Sequence, residues 1–161
     1  MESLGVSLHR LELFDLKQAM GLEKACYSSP WTTANMVSEL NREVGFNLGL
    51  FRERHLIAMS ICWLIAPECH LLNLAVHPGL RRQGLGRQLL RAICLLAIKF
   101  GAKFFHLEVS VSNRPAQALY KSAGFRNVGY RPNYYPEGTD AILMTLDLLN
   151  IYGPQSGQQI S

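Results

Sequence analysis

The chain has 161 residues, 48% of them hydrophobic and 17% charged, with sixteen Lys and Arg against twelve Asp and Glu and a formal net charge of +4. At roughly 100–200 residues per domain this length gives one domain, two at most, and the composition excludes a disordered, charge-dominated protein. The mild positive balance suits an anionic ligand or a partner near nucleic acid without requiring either.

In chain order, the alternation of Val6, Leu8, Leu11 and Leu13 predicts a strand. Asp15 can cap a helix running to about Ala25, with Leu16, Ala19, Met20 and Leu22 as its apolar positions. Thr32 suits the N-cap of a second helix ending near Leu40, and Trp31 and Met36 fall at the N′ and N4 positions of a hydrophobic staple. Strands are expected over 46–51, 56–65 and 70–76. The polar run Arg52-Glu53-Arg54-His55 joins the first two as a hairpin, and a turn at Ala66-Pro67-Glu68 follows, where Pro67 would interrupt a strand. A long helix over 82–100 stops at Gly101. A short strand over 104–109 leads to a helix over 113–123, with Pro115 in its first turn and Gly124 at its end. Two strands, about 126–130 and 141–148, complete a mixed sheet flanked by helices, an α/β (α+β) fold. Residues 153–161 are rich in Gln, Gly and Ser and read as a disordered tail.

Cys26, Cys62, Cys69 and Cys94 form no Cys-x-x-Cys pair and read as reduced thiols, Cys94 in the core. Residues 1–10 contain no apolar signal segment, and the longest apolar run, 93–98, is far too short to span a bilayer. The expectation is a cytoplasmic protein with no membrane partner. No arginine-rich tract with interleaved aromatics marks direct nucleic-acid binding. His70 and His77 have no second ligand at metal spacing, so no metal is expected.

The stretch with chemical content is residues 71–86, LLNLAVHPGLRRQGLG. A buried strand ends at Val76, His77-Pro78-Gly79 turns the chain, and Arg81-Arg82-Gln83-Gly84-Leu85-Gly86 leads into the long helix. Glycine lets a backbone approach a ligand closely. The first N–H groups of a helix lack internal partners, and the helix dipole favours negative charge there. With Arg81, Arg82 and Arg87 nearby, the segment can cradle phosphate. Spacing alone leaves a plain turn before a surface helix equally open. Neither a Walker A loop nor a GxGxxG dinucleotide fingerprint is present.

The run Arg81–Gly86 resembles the R/Q-x-x-G-x-G/A signature of the GNAT superfamily of N-acetyltransferases. So does the later series Leu107-Glu108-Val109, Asn113, Ala118-Leu119-Tyr120 and Gly124-Phe125. Ser29-Pro30-Trp31, Asn133-Tyr134-Tyr135-Pro136 and Ala141-Ile142-Leu143-Met144 are similar to the ribosomal-protein-alanine branch of that superfamily, the RimI type. The resemblance covers roughly residues 5–148, leaving 149–161 as a C-terminal extension. It implies a single GNAT domain that uses acetyl-CoA as co-substrate and acts on a protein N-terminus, that of a small-subunit ribosomal protein.

Leu74, Ala75 and Val76 would then meet the pantetheine arm. Arg82, Gln83, Gly84, Leu85, Gly86 and Arg87 would hold the pyrophosphate, and Asn113 would add a hydrogen bond. Glu108 would be the general base and Tyr120 the general acid, with Trp31, Tyr134 and Tyr135 at the substrate. From the residues alone, Glu108 could equally form a structural ion pair, Tyr120 could be a core aromatic, Asn113 an N-cap, and the paired tyrosines a packed turn. The chain departs from the RimI type at His70, where an acidic residue is usual, and at Ser110-Val111, where Arg-Ala is common. Two rival readings are a GNAT enzyme for another amine (a lysine side chain, a polyamine or an antibiotic) and a non-catalytic acyl-CoA-sensing or RNA-associated module.

Overall fold

A computed structural model describes residues 5–153, so the expected tail lies outside the described residues from 154 onward. The chain condenses into two compact units. One comprises residues up to Trp63 with Leu72–Leu90, the other Leu64–Leu71 with the chain from Arg91. Seven strands, β1 (Val6–Arg10), β2 (Leu48–Arg52), β3 (His55–Ile65), β4 (Glu68–Val76), β5 (Phe104–Ser110), β6 (Arg126–Arg131) and β7 (Ala141–Asp147), are bonded in the order β1-β2-β3-β4-β5-β7-β6. The helices are α1 (Leu16–Cys26), α2 (Thr33–Leu40), α3 (Leu85–Lys99), α4 (Arg114–Ser122) and α5 (Leu148–Tyr152). β4 and β5 run parallel, while β1·β2, β2·β3, β5·β7 and β6·β7 are antiparallel. This is the expected mixed, mostly antiparallel α/β architecture.

In the first unit, Leu11, Ala19, Met20, Leu22, Met36 and Ile61 share one apolar cluster, and Trp31 packs against it. The cap forms as expected: Thr32 Oγ1 accepts from Asn35 N at 3.1 Å, and Met36 is fully buried in the cluster against which Trp31 packs. Asp15 behaves differently from expectation. Its carboxylate reaches back to accept from Glu12 N at 2.9 Å rather than capping α1, because a 3₁₀ turn over Leu13–Asp15 intervenes. The apolar alternation in β1 marks no buried face, since that strand is largely exposed. The hairpin between β2 and β3 closes at Arg52↔His55 through two residues of positive φ, Glu53 (49°) and Arg54 (68°). Such a turn matches strand twist but normally takes Asn or Gly. Gln18 braces it, donating to Arg54 O at 3.0 Å and accepting from Leu56 N at 2.8 Å.

In the second unit, Phe105, Phe125 and Tyr120 pack edge to face, with centroids 5.2 and 5.8 Å apart, beside buried Leu107, Val109, Met144 and Leu146. None of the four cysteines forms a disulfide. Cys94 is buried as expected, and burial pushes its thiol up to about 12. Helix α3 begins at Leu85, three residues later than expected, because Arg82 (φ 64°) and Gly84 (φ 79°) are left-handed and cannot join a right-handed helix. Helix α5 is an addition: Asp147 ends β7 and caps the new helix, accepting from Asn150 N at 3.3 Å. No helix among the described residues is long and apolar enough to cross a membrane.

Candidate active site

The cradle lies in the first unit. The Gly84 carbonyl takes the first bond of α3, from Gln88 N at 2.9 Å. The N–H groups of Leu85 and Gly86 therefore precede the intrahelical ladder and point out of the helix end. Nothing lies within 4 Å of the place a Cβ on Gly84 would occupy, so the backbone there is open to a ligand. Arg82, Gln83 and Arg87 are exposed around it. An open left-handed glycine, outward N–H groups and a positive helix end form a donor set that fits a pyrophosphate. Arg81 does not serve this cradle directly: its Nε turns back to Val76 O at 3.3 Å.

The β4·β5 register runs from Glu68↔Phe104 to Leu71↔Leu107, and β4 continues beyond it to Val76. The carbonyls of Leu74 and Val76 already accept hydrogen bonds. The Tyr27 hydroxyl donates to Leu74 O, and the Cys26 thiol donates to Val76 O at 3.2 Å. Burial raises the pKa of both groups, so they stay protonated donors. Ala75 is buried in the core cluster. Glu23, only 1% exposed, ties this region together: one oxygen accepts from Asn73 Nδ2 at 2.6 Å and the other from Trp31 N at 2.9 Å. Trp31 is thus fixed at both backbone and ring.

The second unit carries the residues expected to serve as base and acid. Glu108 sits on β5, half-buried at 29% side-chain exposure. It is not walled by apolar groups alone, since Arg131 Nη2 lies 3.4 Å from its Oε1 and the Tyr134 hydroxyl donates to its carboxylate. That hydrogen bond, then burial, raises the Tyr134 phenol, and the Arg131 guanidinium lies over the Tyr134 ring at 5.6 Å. Tyr135 meets Tyr134 edge-on at 5.0 Å, and burial together with the Glu108 charge pushes it up to about 12. The loop carrying both tyrosines is braced by Tyr135 N to Thr139 O at 3.1 Å and Asn133 N to Asp140 Oδ1 at 2.9 Å.

Tyr120 is 7% exposed, its ring in the aromatic core against Phe125. Asn113 caps α4, accepting from Ala116 N at 3.2 Å. The structure therefore brings Glu108, Tyr134 and Tyr135 together. Arg131 was missed by sequence reasoning. It sits just ahead of the tyrosine loop and opposite Ala141, whose neighbour on β5 is Ser110, so only the ladder register places it beside Glu108. No group of three or more His, Cys, Asp or Glu among the described residues is arranged to hold a metal ion.

The first unit thus carries a donor set that fits a pyrophosphate, and the second a carboxylate–phenol cluster. Residues 16–125 match the model of the acetyltransferase (GNAT) family. The [ribosomal protein bS18]-alanine N-acetyltransferase of Escherichia coli (strain K12) is 36% identical over 145 residues, 88% of this chain and 97% of that protein. Its namesake from Salmonella typhimurium is 34% identical, covering 86% and 95%. The crystal structure of the ribosomal-protein-S18-alanine N-acetyltransferase from E. coli superposes with a TM-score of 0.85, covering 97% of this chain and 99% of that one at 34% identity. The chain belongs to the GNAT family and is an acetyl-CoA-dependent N-acetyltransferase.

Proposed function

We propose that this enzyme acetylates the N-terminal α-amine of a ribosomal protein, an alanine as in bS18. The observation that carries the reading is the near full-length match to the E. coli bS18-alanine N-acetyltransferase. The Glu108–Arg131–Tyr134 cluster supports it chemically. Residues 5–148 form the catalytic domain, and 149–161 are an extension of it. The substrate and the four cysteines outside any disulfide both suit a cytoplasmic enzyme.

Bound acetyl-CoA supplies a thioester carbonyl as the electrophile. Leu85 and Gly86 N–H, with Arg82, Gln83, Gly84 and Arg87, hold its pyrophosphate. Leu74, Ala75 and Val76 would line its pantetheine arm, and backbone donors near Val76 would polarise the thioester carbonyl in the manner of an oxyanion hole. The amide of Asn113 that is not spent on capping adds one more contact. Glu108 accepts the proton of the substrate ammonium, whose reference pKa of about 7.7–8.0 asks little of a base. Arg131 and Tyr134 keep that carboxylate in place. Tyr120 returns a proton to the departing thiolate. Tyr134 and Tyr135 would meet the first residues of the peptide, and Trp31 is a further substrate contact.

The test is mass spectrometry of short peptides incubated with enzyme and acetyl-CoA. A lysine ε-amine has a reference pKa of about 10.4, so near neutral pH its free-base fraction is over a hundredfold below that of an α-amine. Peptides beginning with a free alanine should be acetylated. The same peptides, blocked at the N-terminus but carrying internal lysines, should not. Equal labelling of both sets would overturn the N-terminal assignment.

A further inference from the structure

One group of side chains in the second unit takes no part in the acid–base cluster. Glu68 stands opposite Phe104 and His70 opposite His106 in the β4·β5 register, while His106 faces Thr145 and Glu108 faces Leu143 across β5·β7. Residues two apart on a strand share a face. Phe104, His106 and Glu108 therefore stand in line on one face, in rows about 6.6 Å apart.

The carboxylate of Glu68 links the two imidazoles. Its Oε2 lies 3.3 Å from His70 Nε2 and its Oε1 3.2 Å from His106 Nε2, while His106 Nδ1 is 2.8 Å from Thr145 Oγ1. The rings form a platform: Phe104 stacks on His106 at 6.3 Å and 20°, and His70 sits 5.2 Å from His106. Solvent reaches it, with Glu68 48% and His70 38% exposed.

The hydrogen bond from His70, and then the charge of His106, hold the Glu68 carboxyl below the usual carboxylate range. An ionised carboxylate has about four lone-pair sites, of which the imidazoles use two. Asp147 stands in the Phe104 row and Arg126 in the His106 row, beyond Thr145. Flat rings edged by an unsaturated carboxylate suit a guanidinium, which stacks on a ring while its N–H fork meets the oxygens; an ammonium is a compact point charge that does not stack.

An extended peptide also rises about 3.3 Å per residue, so with its N-terminal amine at Glu108 its third side chain reaches the His106 row. We propose that Glu68, His70, Phe104 and His106 form a subsite for an arginine at the third position of the substrate peptide, an inference that rests on the reading of Glu108 as the base for a peptide N-terminus.

The experiment measures kcat/KM for peptides beginning with alanine that differ only at position three, carrying arginine, lysine or the neutral isostere citrulline. The native enzyme should favour arginine over citrulline about fivefold, as a stacked and paired surface cation warrants, with lysine between them. In Glu68→Gln, an exposed and isosteric change, the arginine-to-citrulline ratio should fall to about one. Peptide acetylation with equal rates for all three, or a ratio untouched by Glu68→Gln, overturns the subsite and leaves the N-terminal reading standing. Acetylation of a small free amine with none of any peptide overturns both.

Discussion

Replacing Gly84 with valine should abolish measurable acetyl-CoA binding in a protein that still folds. Gly84 is left-handed at φ 79° and its Cβ position is open. The first carbon of the new side chain therefore finds open space, and the main cost to the fold is backbone strain, of order 1–3 kcal/mol for a residue held in that region. The branched side chain would instead stand over the outward N–H groups of Leu85 and Gly86, where a pyrophosphate must approach. Calorimetry should show acetyl-CoA affinity falling by at least about a hundredfold, given several charge-assisted hydrogen bonds at about 1.5–3 kcal/mol each. Gly84→Asn separates strain from obstruction, because asparagine tolerates the left-handed region and carries a smaller, unbranched side chain. It should bind more tightly than Gly84→Val. Undiminished affinity in a folded Gly84→Val protein would remove the cradle.

Glu108→Gln should lower kcat/KM by about a hundredfold or more, the usual range for loss of a general base. The variant keeps the shape and an oxygen for the Tyr134 hydroxyl, but loses the proton acceptor and the charge that faces Arg131. The defect should deepen as pH falls. Below the α-amine pKa the free-amine fraction shrinks about tenfold per pH unit, so the need for a base grows in the same direction. A rate ratio between native and variant that stays flat from pH 6.5 to 9 would show that Glu108 serves only to hold Arg131 and Tyr134.

Local signals carried much of the fold. The Thr32 cap, the Asn113 cap and the Gly101 stop each depend on residues within one or two turns, and each appears where expected. Gly84, Glu108 and the paired tyrosines were legible as candidates because motifs mark them, but the hydrogen bond that joins Tyr134 to Glu108 was not. The start of α3 was not, because periodicity continues back through Arg82 while its backbone is left-handed. Contacts made by topology escaped altogether. Tyr27 and Cys26 reach Leu74 and Val76 across about fifty residues, and His106 meets Glu68 only through a parallel register that no local pattern announces. Arg131 escaped for the same reason, since a diagonal neighbour across two ladders leaves no trace in sequence spacing.

The hydrogen bonds from Cys26 and Tyr27 to the strand carbonyls, with Glu23 bridging Trp31 and Asn73, make the end of α1 and the strand Asn73–Val76 one mechanical element. A ligand that settles on that strand favours the state in which these bonds are closed, and by linkage it stabilises the segment that makes them. Donor binding should therefore slow amide exchange over residues 27–31, which lie at the far ends of those bonds. By the same reciprocity, a peptide pressed against Trp31 should tighten the hold on acetyl-CoA. Each substrate would then strengthen the hold on the other, through a wall that both of them stiffen.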